Sequence, residues 1–182
     1  MATASLPTLL LVDGYNIIGA WSSLQLRRDR DGLESARRQL VETLINYAAL
    51  AGMHGRVVFD AHYQRGQSSQ EIFSETFHVH YTDFGQTADT YIEKVCADFS
   101  RRSTARRYQR IVVATSDRAQ QQTTTGYGAQ WWSADELARV VEQVQWRAQR
   151  RQATQPRPRR RLLANYLDPR AQERLAQWRS PQ

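Results

Sequence analysis

The chain has 182 residues, 41% of them hydrophobic, with 5 Trp, 8 Tyr and 5 Phe; this is enough to bury the core of one compact domain and excludes disorder throughout. Its single cysteine, Cys96, excludes an internal disulfide framework and a cysteine-based zinc site, and a reduced compartment is the expectation. Net charge is +7, but residues 1–144 hold 15 Lys plus Arg against 16 Asp plus Glu, so the basic excess lies wholly in 145–182, where 10 Arg face only Asp168 and Glu173.

Thr8 to Asp13, TLLLVD, is a continuous apolar run ending in an acid, the pattern of a strand covered on both faces. Its apolar core is too short for a signal peptide or a membrane span, so a soluble, cytoplasmic protein without a membrane partner is expected. Residues 14–30, with Gly14, Gly19 and a charged stretch, read as a loop. Leu33, Ala36, Leu40, Leu44, Tyr47 and Ala51 recur at helical spacing and predict a helix over 32–51, stopped by Gly52. RVVFD, 56–60, is a second short strand that ends in Asp. Residues 61–75 are polar and read as a mobile surface loop.

FHVHY, 77–81, alternates and predicts a third strand, and Ala88, Tyr91, Ile92, Val95, Cys96 and Phe99 predict a helix over 88–100. IVVAT, 111–115, is a further buried strand, followed at once by Ser116 and Asp117. A short helix over 117–123, a strand near 129–132 and a helix from a capping box at Ser133 and Glu136 to about 150 complete the series. The tail then changes character: TQPRPRRR, 154–161, reads as an extended linker, and Asp168–Pro169 opens a short helix with Leu175 and Trp178 on one side. Buried strands alternating with helices imply an α/β fold with a mostly parallel central sheet in three layers. The expected division is a domain over 1–151 and a basic linker with a short C-terminal helix over 152–182.

In a parallel sheet the carboxyl ends of the strands gather at one edge, where ligands bind. Asp13, Asp60 and Asp117 fall there, Asp89 opens the following helix, and Glu93 shares its face one turn on. Acids so gathered repel one another unless a cation is present. Mg²⁺ or Mn²⁺ prefers such oxygen ligands and can activate water against a phosphodiester. On this reading Asp13, Asp89 and Asp117 are catalytic metal ligands, Glu93 serves a second ion or orients a water, and Asp60 supports them. Each acid taken singly could equally be a helix cap or a turn residue.

The motifs DGYNIIGAW (13–21), VVFDAH (57–62), YTDFGQTADTYIEK (81–94) and VVATSDRAQQ (112–121) resemble, in order, those of the NYN branch of PIN-like nucleases, and most of all its YacP-like members; GYGAQWWSADEL (126–137) is also similar. The resemblance covers 8–145 and leaves the tail outside. It implies a Rossmann-like PIN-type fold, Mg²⁺- or Mn²⁺-dependent cleavage of single-stranded RNA, and action on mRNA in the ribosomal A site. On matching positions Asp13 and Asp89 resemble the essential acids, Asp117 the third ligand, and Asn16 the asparagine that supports the first aspartate.

Around this core, Tyr15 and Trp21 could stack on unpaired bases or simply pack. His62 is a candidate substrate contact, whereas His78 and His80 share a strand face without an evident third ligand. Arg157, Arg159, Arg160 and Arg161 are the best candidates for an RNA backbone contact. No P-loop, dinucleotide fingerprint or serine elbow is present. Two other functions fit the same residues: a non-catalytic RNA- or ribosome-binding module, and a phosphohydrolase acting on a small metabolite.

Overall fold

The computed structural model describes residues 6–60, 69–101 and 107–154, the side chains of 152–154 excepted. In chain order the elements are β1 (Thr8–Asp13), α1 (Gly14–Ala20), α2 (Ser22–Asp31), α3 (Leu33–Ala51), β2 (His54–Phe59), β3 (Ser69–Ser74), β4 (Phe77–Tyr81), α4 (Ala88–Arg101), β5 (Arg110–Ala114), α5 (Arg118–Gly126), β6 (Gln130–Trp132) and α6 (Ala134–Thr154). The six strands form one sheet in the order β3-β4-β2-β1-β5-β6. Every pairing is parallel except β3 with β4. From β1 the chain steps outward through β2 to β4, then crosses back to β5 on the other side of β1. The switch point therefore lies between the carboxyl ends of β1 and β5.

Alternation along the strands divides the core into two layers. Leu10, Val12, Val57, Phe59, Val79, Val112 and Ala114 face α1, α2, α3 and α6. Leu9, Leu11, Val58, Ile111 and Val113 face α4, which meets them with Ala88, Ile92 and Cys96, one residue per turn. The Cys96 thiol is buried in this layer and pushed up to about 12 by that burial, so it is a packed apolar group and not a reactive thiol. No helix among the described residues is long and apolar enough to cross a membrane.

Two segments expected as loops are ordered elements. Residues 14–30 form α1 and α2. Ile17 and Ile18 of α1 are buried, but α2 buries only Leu24 and lacks a readable periodicity. Local pairing instead supports it, notably Arg27 with Asp31 one turn on, at 2.9 Å. Within the polar stretch 61–75, Ser69–Ser74 is the antiparallel edge strand β3; Phe73 alone is buried, so its strand character comes from pairing with β4. Helix α6 runs to Thr154, and the 151/152 boundary falls in its last turn.

Candidate active site at the sheet switch point

Three chain segments bring acids to the carboxyl edge, and each is fastened by hydrogen bonds to main-chain N–H groups. Asp13 ends β1 with extended backbone and caps α1, its Oδ1 accepting from Asn16 N–H at 3.1 Å. Asp117 follows β5 and caps α5, with Oδ1 accepting from Ala119 and Gln120 N–H at 2.7 and 3.1 Å. Asp60 follows β2 and accepts from Ala88 N–H, capping α4 from a different part of the chain. Capping and gathering are thus the same act: turning each strand into its helix leaves a carboxylate at the edge.

Two side chains tie these segments together. Asn16 Oδ1 accepts from Ser116 N–H at 2.7 Å, a bond that spans the switch point from the β1–α1 turn to the β5–α5 turn. Gln120, buried at the start of α5, donates its side-chain N–H to Asp89 Oδ1 on α4. Asp13, Asp89 and Asp117 therefore each have one oxygen held by the scaffold. Asp13 is also stabilised by the Tyr15 N–H, and among the described residues no arginine or lysine is paired with any of the three.

The acids sense one another. Burial is the main reason that the Asp13 carboxyl is pushed up to about 6, with the Asp89 and Asp60 carboxylates adding to it and the Asn16 N–H opposing it. Asp89 is also raised, first by burial and then by Asp117, Asp60 and Glu93. Asp89 is thus the electrostatic hub, while Asp13 is the more deeply set. Among the described residues, no three acidic, histidine or cysteine side chains stand close enough to form a ready-made set around one ion. The donors are nevertheless all oxygens and mutually repulsive, and among the described residues Asp13, Asp89 and Asp117 have no basic counterion, a composition that suits a hard divalent cation.

Tyr15 is half-buried, with its ring 5.1 Å from Phe59 and its hydroxyl accepting from Arg37 at 3.3 Å. Trp21 donates its indole N–H to the Ala134 carbonyl at 2.9 Å and packs on the core. His80 stacks on Tyr91 at 3.9 Å, and His78 is partly buried near Arg56. His62, Arg157, Arg159, Arg160 and Arg161 lie outside the described residues, as does the tail segment from Asp168 to Trp178.

Gln120 is the site residue that sequence reasoning passed over. Asp117 and Gln120 have capping-box spacing, which was legible. That the amide would reach across to Asp89, and not back to its own helix cap, depends on how α5 packs against α4. We expect Gln120→Leu to fold with a stability change within about 1 kcal/mol, since its Oε1 is buried without a partner already. Loss of the donor should raise the Asp89 carboxyl further. If the site is catalytic, turnover should fall on the order of tenfold and the acidic limb of the rate profile should move to higher pH. An unaltered pH profile would mean the amide does nothing for Asp89.

A mostly parallel sheet with carboxylates fastened around its switch point defines an α/β domain whose acids stand where such sheets bind ligands. The chain belongs to the YacP-like NYN domain family, whose model matches residues 10–180. That match extends past the motifs at 8–145 and takes in the tail that they left outside. The chain is 38% identical to YacP of Bacillus subtilis (strain 168) over 143 residues, 79% of this chain and 80% of that protein. The crystal structure of Rae1 (YacP) from Bacillus subtilis superimposes with a TM-score of 0.63 at 38% identity, covering 79% of this chain and 78% of that one. A crystal structure of a Trp-to-Leu mutant of the same Bacillus subtilis protein gives the same TM-score of 0.63 at 36% identity, covering 79% of this chain and 80% of that one.

Proposed function

We propose that this chain is a metal-dependent endoribonuclease that cleaves single-stranded RNA, with mRNA in the ribosomal A site as its substrate. The observation that carries the reading is the trio Asp13, Asp89 and Asp117: each is fastened to the scaffold by N–H donors, and none has a cationic partner among the described residues. Asp13 and Asp89 are partly buried and Asp117 is exposed at the rim, and withdrawing the first two charges from water is costly unless something neutralises them.

Asp13, Asp89 and Asp117 would hold Mg²⁺ or Mn²⁺, with Glu93, one turn along α4 from Asp89, serving a second ion or orienting a water. Such an ion supplies charge neutralisation at the scissile phosphodiester and a water more acidic than bulk water. The chain's own residues supply the positioning. Asn16 fixes Asp13 relative to the Asp117 turn, and Gln120 fixes Asp89 relative to α5. The N-termini of α1, α4 and α5 open at the same edge, and their dipoles favour negative charge there. The arginines at 157, 159, 160 and 161 would neutralise the RNA backbone, making affinity fall steeply with salt. The ribosomal setting rests on the family resemblance.

The test is in-vitro translation of defined reporters with the purified protein, mapping new 5′ ends. Cuts within translated sequence that need Mg²⁺ or Mn²⁺ and vanish in Asp89→Asn are the expected result. Binding to ribosomes with no cut under any divalent ion would replace the enzyme with a non-catalytic module. A second measurement needs no activity. Mn²⁺ should raise the unfolding temperature of the wild type, by about 2.7 kcal/mol of stabilisation at a hundredfold excess over Kd, and leave Asp13→Asn unmoved. Equal shifts in both proteins would remove Asp13 from the metal site.

A further inference from the structure

Phe84 stands on the loop between β4 and α4 with 82% of its surface exposed. The loop around it is firmly built. Buried Thr82 donates its N–H to the Phe59 carbonyl at 3.0 Å and its hydroxyl to the Gln86 carbonyl at 2.7 Å. Gln86 N–H closes a turn onto the Asp83 carbonyl at 3.0 Å, and Gly85 takes the positive φ of +83° that the third position of a type II turn requires. Phe84 is therefore held outward by a turn that does not need it. Among the described residues, no aromatic ring or cation lies against it.

Its place matters more than its exposure. The loop leaves the carboxyl end of β4 and leads directly into the first turn of α4, which carries Asp89. The ring therefore borders the acidic edge on the β4 side. Of the aromatics near that edge, Tyr15 has its ring on Phe59, Trp21 has its indole on the Ala134 carbonyl, and Trp131 has its indole on the Thr115 carbonyl at 2.7 Å. Phe84 is the most exposed of these four. A phenyl ring has no hydrogen-bonding group with which to read a base edge, but its face can stack on any unpaired base.

We propose that Phe84 is the platform on which an unpaired base beside the scissile phosphate stacks, contributing affinity without sequence preference. This rests on the endoribonuclease reading above. The favoured ligand is the RNA itself, because the ring adjoins a site suited to phosphodiester chemistry; docking of an apolar protein surface is the outcome that the test must separate.

The test uses the full chain with Asp13→Asn to prevent cleavage, and an unstructured RNA oligonucleotide carrying 2-aminopurine, whose fluorescence is quenched by stacking. Phe84→Ala and Phe84→Leu should each weaken binding on the order of tenfold and abolish the quenching, while Phe84→Trp restores both. Leu26→Ala, which removes a comparably exposed apolar side chain on α2, should change neither. In cleavage-competent protein, Phe84→Ala should raise KM and leave kcat near the wild-type value. Full binding by Phe84→Leu would show an apolar contact in place of a stack, and full binding by Phe84→Ala would show no contact; either overturns the proposal while leaving the nuclease reading intact. If Phe84 is unchanged and the chain binds no RNA at all, both readings fall together.

Discussion

Replacing Asp13 by Asn is expected to raise stability while cleavage falls by three orders of magnitude or more, about 4 kcal/mol of lost transition-state stabilisation. The two effects share one cause. Asparagine keeps the shape and the oxygen that caps α1 but removes a charge whose burial pushes the carboxyl up to about 6. Against an ordinary value of 3.8, that shift corresponds to about 2–3 kcal/mol of native-state destabilisation in the ionised form. In metal-free buffer at pH 7.5, Asp13→Asn should therefore unfold ~4–12 °C above the wild type.

The pH dependence has a fixed sign. Between 3.8 and about 6 the native wild type binds more protons at Asp13 than the unfolded chain does. The Asp13 contribution to wild-type stability therefore improves as pH falls through 6 and levels off below 3.8. The advantage of Asp13→Asn should be full above pH 6 and absent near pH 3.8. A gap that widened on acidification, or an Asn variant less stable at pH 7.5 without metal, would refute the account of Asp13 as a strained buried charge. Retention of cleavage in Asp13→Asn would end the catalytic assignment separately.

Gly14→Ala is expected to lower stability by about 2–3 kcal/mol, the range for overpacking a filled core. A Cβ at Gly14 would fall 2.2, 2.5 and 2.7 Å from three atoms of the Phe59 ring. That ring cannot easily yield. It is fully buried, stacked on Tyr81 at 5.8 Å and bordered by Tyr15 at 5.1 Å. Gly14 is the first residue of α1, so the added methyl should also displace the turn carrying Asp13. A shift of about 1 Å there is enough to cost on the order of a hundredfold in rate. Adding Phe59→Leu should recover part of both losses, since it vacates the space that the methyl needs. Equal stability of Gly14→Ala and wild type in urea unfolding would show that Phe59 does not confine this turn.

The glycine illustrates how much of the site was local information. Asp13, Asn16 and Gly14 stand within four residues, and the cap, the helix start and the close packing all follow from them once β1 is in place. Asp60 was legible as an acid after a strand, but not as the cap of α4, because its partner Ala88 lies far along the chain. The same holds for Gln120 and Asp89, whose bond exists only because α5 lies against α4. Phe84 was visible in its motif but carried no mark of exposure, which depends on what the rest of the fold leaves uncovered.

Continuous apolar runs in β1, β2 and β5, and the one-per-turn spacing of Ala88, Ile92 and Cys96, determined by themselves that this chain forms a mostly parallel sheet with acids at its carboxyl edge. Those patterns are dense in buried residues, so burial imprints them on the sequence. Tertiary structure alone decided the pairing of β3, which buries only Phe73 and takes its form from β4, whereas α2 buries only Leu24 and rests on charge pairs within its own turns, which leave no apolar imprint. It also decided which acids share a field. Charge interaction acts through space across the switch point, and separations in three dimensions are not written in the spacing of residues along a chain.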